Sequence, residues 1–396
     1  MTIEASGAAG ATPRRIRLGM VGGGQGAFIG GVHRMAARLD DAYELVAGAL
    51  SSQAARALAS AADLHLAPER SYADYREMAA RESNRDDGID VVAIVTPNHL
   101  HAPIARAFLD AGIDVICDKP VTTTLAEALD LVQRVRLGGR LFALTHNYSG
   151  YPMVRQAREM VQAGELGDIR LVQAEYPQDW LSTGLEFTGQ KQAAWRVDPG
   201  QAGAGGSLGD IGTHAEHLGR FISGLALKEV SADLHTFVQG RRLDDNAHVL
   251  LRYTSGARGM LWSSQVAPGN ENALRVRVYG SKAGLDFCQE QPNHLLFTPL
   301  GQPPRLITRA GNGSGEAARY ASRTPSGHPE GYIEGFAQLY RDVAEQIHAR
   351  WQGRAPDPRA CWVPGVEDGA LGMKFIEAVV ESSLGNGRWV DARLPP

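Results

Sequence analysis

The sequence predicts an α/β fold in two parts: a doubly wound parallel sheet over residues 14–150, then an α+β domain over 151–396 on a large, mainly antiparallel sheet flanked by helices. Three observations predict it. At 396 residues the chain exceeds the ~250–300 at which one core stops growing. Its first third alternates apolar β-like runs with helical periodicity. After Tyr151 the character changes, and beyond His235 alternating segments follow one another with little helix between them.

Ile16 to Val21 reads as the first strand and Gly30 to Arg38 as the helix behind it. Tyr43 to Leu50 is a second strand, and Gln53 to Ala62 its helix. Val91 to Val95 is an unbroken apolar run, as expected of a strand buried on both faces. His101 to Ala111 reads as helix, Asp114 to Cys117 as strand, Leu125 to Leu137 as helix and Leu141 to Leu144 as strand. In such sheets ligands bind at the carboxyl ends of the strands. The second part opens with a helix, Met153 to Ala163, and a strand, Ile169 to Glu175. Strands follow at Ala247 to Tyr253, Gly259 to Gln265 and Leu274 to Tyr279. Gly301 to Gly327, rich in Gly, Pro, Ser and Arg, reads as a long functional loop. Helices Tyr332 to Ala349 and Val366 to Ser383 close the chain, the last expected to pack back on the first domain.

Composition narrows the class. The chain is 43% hydrophobic and 21% charged with a net charge of −4, as in an ordinary soluble globular protein. No basic stripe suggests nucleic acid, and no apolar run approaches the ~20 residues of a membrane helix. Three scattered cysteines, Cys117, Cys288 and Cys361, argue against a disulfide framework or a Cys-rich metal site and for a reducing cytoplasm. Residues 1–13 read as a loose tail. Arg14-Arg15 imitates an export signal, but the apolar residues behind it run directly into the first glycine loop and are better used as a strand.

Chemistry concentrates at strand ends. Gly22 and Gly24 follow a strand and precede a helix, the context of a dinucleotide loop, so Gly22, Gly24, Gln25, Gly26, Ala27, Phe28 and Ile29 are candidate cofactor contacts. The third glycine of such a loop is either replaced by Ala27 or supplied by Gly30 after an extension. An acid usually follows the second strand to hold the ribose of NAD. Ser51-Ser52 stand there instead, with Arg56 a turn later, suited to a hydroxyl or to a phosphate. Thr96, Pro97, Asn98 and His101 follow the buried strand. Cys117-Asp118-Lys119-Pro120 puts a lysine at another strand end, an odd place unless it meets a ligand. A glycine run (Gly203, Gly205, Gly206, Gly209) leads into Asp210-Ile211-Gly212-Thr213-His214. Asp210 and His214 share one face if that stretch is helical. His217 reads as packing, and no Cys or carboxylate cluster accompanies it, so metal is rejected.

The glycine loop, the Lys-Pro and the Asp-x-x-x-His together resemble the glucose–fructose oxidoreductase, inositol dehydrogenase and rhizopine-catabolism (Gfo/Idh/MocA) family. Asp118 departs from that family's usual glutamate, and Gly30-x-x-His33 matches its glycine-to-histidine spacing. The resemblance implies a Rossmann domain, a cis Lys119-Pro120 bond and a nicotinamide-dependent dehydrogenase acting on a ring hydroxyl of a sugar, glycoside or cyclitol. It implies catalysis by Lys119, Asp210 and His214. A serine pair able to serve the ribose hydroxyls, and the oxidised NAD pool that sugar-degrading dehydrogenases face, favour NAD, with NADP not excluded. With His214 as the titrating base, oxidation is expected to rise between pH ~6 and 8. Homo-oligomers are expected through the C-terminal sheet. Sugars are held by stacked aromatic faces and dense hydrogen bonds, so Tyr148, Tyr176, Gln178, Asp179, Trp180, Trp195, Arg196 and His328 are candidate substrate contacts. Two other readings stay open: a sugar sensor without turnover, and a glycoside-cleaving enzyme that oxidises transiently and restores its NAD.

Overall fold

Five short strands, nearly all their side chains buried, make the first sheet: β1 (Ile16–Gly22), β2 (Tyr43–Ala49), β3 (Val91–Val95), β4 (Asp114–Cys117) and β5 (Phe142–Leu144). They run parallel in the order β2-β1-β3-β4-β5. The computed structural model describes residues 14–395; the tail expected over 1–13 lies outside them. Crossover helices α1 (Phe28–Leu39), α2 (Ala54–Asp63), α3 (Tyr75–Glu82), α4 (His101–Asp110) and α5 (Leu125–Gly138) cover the faces. Helix α3 was not expected, because its run is mostly charged and only Met78, Ala79 and Glu82 turn inward. Its start is set by Asp74, whose carboxylate accepts the Arg76 amide.

Helix α6 (Pro152–Gln162) leads into the second sheet. Its strands are β6 (Ile169–Pro177), β7 (Leu227–His235), β8 (Asn246–Tyr253), β9 (Arg258–Ser264), β10 (Arg275–Gly280), β11 (Ala283–Cys288), β12 (His294–Pro299), β13 (Arg305–Thr308) and β14 (Val390–Asp391). Their order is β13-β12-β11-β10-β6-β9-β8-β7-β14, antiparallel except for β6 with β9. Between β6 and β7 the chain leaves the sheet to form short helices α7 (Lys191–Arg196) and α8 (Pro199–Ala202). It returns through a π-turn, Leu208–Gly212, into α9 (Thr213–Ser223). Alternation puts Val172, Val249, Leu261 and Val278 in the core and leaves the other face open.

The expected long loop is corrected. Gly301 to Gly327 holds edge strand β13 and helix α10 (Glu316–Ala321). Both escape pattern reading because β13 is largely exposed and α10 buries only Ala317, Ala318 and Ala321. The final helices α11 (Tyr332–Trp351) and α12 (Val366–Leu384) return to the first layer. Phe336, Tyr340, Val343 and Ile347 of α11 join Ile16, Met20, Val32 and Val91 in one core. Tyr340 meets the buried His33 Nδ1 at 2.8 Å and accepts the Tyr43 hydroxyl on its carbonyl. The parallel sheet therefore draws part of its core from residues far beyond 150.

Candidate active site

Strand β1 ends in a left-handed run, with φ of 81° at Gly22, 71° at Gly23 and 78° at Gly26, conformations that only glycine adopts freely. A Cβ on Gly24 would lie 2.5 Å from the Leu50 carbonyl oxygen, and one on Gly30 would lie 2.4 Å from Gly23 Cα. Close packing of helix on loop thus belongs to Gly30, while Ala27 stands just before the helix. This bare backbone at a helix start fits a dinucleotide pyrophosphate. Gln25 through Ile29 continue along the same cleft, which encloses about 970 Å³. Ser51 faces the cleft and caps the next turn, accepting the Gln53 amide at 3.2 Å. Arg56 also lines the cleft, with its guanidinium donating to the Gln25 carbonyl.

Thr96, Pro97 and Asn98 line the floor, and Asn98 Nδ2 reaches the Ala202 carbonyl at 3.0 Å. Beyond β4, Asp118 lies against Thr145, whose hydroxyl donates to Asp118 Oδ1 at 2.7 Å. The Lys119-Pro120 bond is cis. Lys119 extends to the π-turn, where its Nζ sits 3.0 Å from Asp210 Oδ1 and also donates to the Asp210 carbonyl oxygen. The other carboxylate oxygen accepts Gln265 Nε2 at 2.9 Å and stands 3.3 Å from Arg196 Nε. Burial pushes the Asp210 carboxyl pKa up, but Lys119 and Arg196 outweigh it and hold it well below the usual range.

One turn on, His214 is 7% exposed and opens on the same cleft. Its ring stands edge-on to Tyr148, His146 and Tyr176, with centroids 4.8, 5.3 and 6.3 Å away. Among the described residues its ring makes no hydrogen bond, so the proton-accepting nitrogen is free for a ligand. Burial, reinforced by the Lys119 charge, holds its pKa well below the usual value despite Asp210. The imidazole is therefore neutral at pH 7. An ammonium, a carboxylate and a neutral imidazole converge at the inner end of a nucleotide cleft, an arrangement able to move a proton and steady an alkoxide. No group of three His, Cys, Asp or Glu among the described residues is placed to hold a metal.

Known proteins match both halves. Residues 16–146 match the oxidoreductase family with an NAD-binding Rossmann fold, and residues 154–286 the GFO/IDH/MocA C-terminal domain. The chain belongs to the GFO/IDH/MocA oxidoreductase family. It is 55% identical to an oxidoreductase from Sinorhizobium meliloti, whose crystal structure superposes with a TM-score of 0.86 over 96% of this chain and 100% of that one. It is 36% identical to an inositol dehydrogenase homologue from Azotobacter vinelandii solved with NADH and myo-inositol, with a TM-score of 0.88 over 96% and 98%. A levoglucosan dehydrogenase of Pseudarthrobacter phenanthrenivorans is 28% identical over 71% of this chain and 76% of its own. The protein is an NAD-dependent oxidoreductase.

Four of the expected contacts fall outside the cleft lining. His101 is fully buried and bridges the Pro120 and Thr96 carbonyls at 2.7 and 2.9 Å, stapling two cleft loops. Ser52 turns to solvent because Ser51 takes the inward position. His328 lies exposed outside the cleft, where its carbonyl accepts from Arg309. Asp179 also misses the cleft lining and accepts the Gly269 amide. Tyr148, Tyr176, Gln178, Trp180, Trp195 and Arg196 do line the inner wall, the Arg196 guanidinium lying 4.4 Å over the Trp195 ring. Sequence reading missed Thr145, Gln192, Gln265, Glu271, Asn272 and Tyr332. For Thr145, its place at the end of β5 was an available signal; the others carry none.

Proposed function

We propose that the protein oxidises a secondary ring hydroxyl of a sugar, glycoside or cyclitol to a ketone, reversibly, with NAD. The observation that carries this reading is the meeting of Lys119, Asp210 and the neutral, unpartnered His214 at the inner end of the cleft. His214 takes the hydroxyl proton, a transfer worth ~10²–10⁴-fold in rate. Lys119 places its charge against the forming alkoxide in a site largely screened from water. Asp210 holds Lys119 in position and is itself steadied by Gln265 and Arg196. Gly22 to Ile29, Ser51, Thr96 to Asn98 and Asp118 hold the dinucleotide, which when bound supplies the hydride acceptor. Tyr148, Tyr176, Gln178, Trp180, Trp195 and Arg196 hold the polyol. The relatives named for myo-inositol and levoglucosan support a cyclic polyol as substrate.

A panel of inositols, anhydrosugars, free hexoses and glucosides, each incubated with NAD and with NADP, tests the reading through nicotinamide reduction. Reduced nucleotide from at least one polyol is expected. Aglycone release without net NADH points instead to transient oxidation and elimination. Polyol binding with no turnover points to a sensor.

The same reading extends to assembly and location. Leu171, Tyr279, Leu250 and Met260 stand exposed on the open face of the second sheet, where Leu250 pairs with Met260 and Leu171 with Tyr279. That face joins copies into a homo-oligomer, and Met260→Glu lowers the mass seen by light scattering. No helix of the described residues is long and apolar enough to cross a membrane. The three cysteines are unpaired, in keeping with a cytoplasmic home.

A further inference from the structure

The substrate wall carries a closed circle of hydrogen bonds. The Tyr148 and Tyr176 hydroxyls share one, with their oxygens 2.5 Å apart. Tyr176 Oη donates to Asn272 Oδ1 at 2.6 Å, and Asn272 Nδ2 donates to Tyr148 Oη at 3.4 Å. An amide oxygen only accepts, an amide NH₂ only donates, and a phenol has a single proton and two lone pairs. Tyr176 commits its proton to Asn272, so the proton between the tyrosines comes from Tyr148. Turning the amide over reverses the circle and leaves the count unchanged. In either sense each phenol commits its proton and one lone pair inside the triangle, and each keeps one lone pair.

The amide is held from outside as well. Gln178 Nε2 donates to Asn272 Oδ1 at 2.7 Å, and Gln289 Oε1 accepts from Asn272 Nδ2 at 3.2 Å. Gln289 is fixed in turn by Tyr151 at 3.2 Å. Burial raises the pKa of both Tyr148 and Tyr176, so each keeps its proton at neutral pH. Both rings line the cleft, and both pack edge-on against His214.

We infer that Asn272 is a specificity-determining residue: it fixes Tyr148 and Tyr176 as a pair of hydrogen-bond acceptors, so the site selects a substrate that offers hydroxyl donors on adjacent carbons. This rests on the polyol reading above. The two phenol oxygens are close enough for hydroxyls on neighbouring carbons to reach both. A carbonyl, an ether oxygen or a fluorine at either carbon brings a lone pair against a lone pair and leaves a buried acceptor unpaired. Such a site rejects an analogue lacking the hydroxyl far more strongly than an apolar pocket does.

Two measurements test the inference. Neutron diffraction from deuterium-exchanged crystals locates the phenolic deuterons of Tyr148 and Tyr176. Both are expected inside the triangle, and a deuteron directed into the cleft overturns the assignment. The second compares myo-inositol, levoglucosan and their monodeoxyfluoro analogues as substrates of wild type and Asn272→Leu. A fluorine at either of two adjacent carbons is expected to lower wild-type kcat/KM by at least about tenfold. In Asn272→Leu the penalty shrinks to a few-fold, because a released phenolic proton now meets the fluorine. Equal penalties in the two enzymes overturn the role of Asn272. NAD binding by the variant, followed by fluorescence, reports that it is folded. If no polyol reduces NAD in the wild type, the dehydrogenase reading fails, and the deuteron positions still decide this one.

Discussion

Lys119 Nζ is bound at two points by one residue, 3.0 Å from the Asp210 carboxylate and in a hydrogen bond to the Asp210 carbonyl. The contact spans 91 residues and ties the Rossmann layer to the start of α9. It holds the ammonium beside the face that carries His214, and it leaves little freedom for the lysine to follow substrate. In the proposed reaction Lys119 therefore acts as a fixed charge, useful where negative charge develops and not in ground-state binding.

Lys119→Met accordingly lowers kcat by about 10²–10³ while NAD affinity changes by no more than a few-fold. Steady-state kinetics with the best polyol of the panel, alongside NAD titration, provide the check. Turnover within a few-fold of wild type removes Lys119 from the chemistry.

The pH dependence differs from the sequence expectation of a rise between pH ~6 and 8. Burial and Lys119 hold the His214 pKa well below its ordinary 6.5. A base must be unprotonated, so the His214 limb of kcat/KM for oxidation is displaced well to the acid side of an ordinary histidine and contributes no slope near neutrality. His214→Asn lowers kcat/KM by about 10²–10⁴ and abolishes that acid limb. A variant that keeps the limb assigns it to another group. Tyr148 and Tyr176 are poor substitutes, since burial raises the pKa of both phenols.

In the proposed reading, cofactor choice is set at the end of β2. No acid stands at Ser51 or Ser52 to repel a 2′-phosphate, yet Arg56 is committed to the Gln25 carbonyl. NAD is expected to bind more tightly than NADP, by a modest factor. Ser51→Asp widens that gap through like-charge repulsion. Titration of both nucleotides into both proteins measures it, and tighter NADP binding by the wild type reverses the assignment.

Acid stability reports on His33. It is fully buried, with Nδ1 against Tyr340 and Nε2 unpartnered, and burial lowers its pKa from 6.5 to about 4. Between those values the unfolded chain binds a proton that the native ring does not, so stability is intact above 6.5 and lost as pH falls toward 4. The full loss is about 3 kcal/mol at ~1.4 kcal/mol per pKa unit. Urea unfolding across this window is expected to show a shallower slope, by one proton, in His33→Asn. An unchanged slope means that His33 is not a buried neutral ring.

The catalytic candidates were legible because local grammar marks them. Lys119 sits between a buried strand and a proline, and Asp210 and His214 are four apart behind a glycine run. Strand β3 was legible from its unbroken apolar run, whereas α3, β13 and α10 bury too little to impose a period. His101, Ser52, Asp179 and His328 fall outside the cleft lining because sequence proximity to a cleft loop does not say which way a side chain turns.

The chain alone determined the doubly wound sheet, the glycine loop and the family to which both belong, since each depends on residues adjacent in sequence. Tertiary structure alone decided which groups surround them. Gln265 reaches Asp210 from the end of β9, and Asn272 reaches the tyrosines from the turn before β10. Phe336 and Tyr340 complete the first core from α11. The His214 pKa likewise depends on burial and on a lysine from the other sheet. Desolvation and long-range charge act through space, and their sizes are set only when the two sheets meet around the cleft.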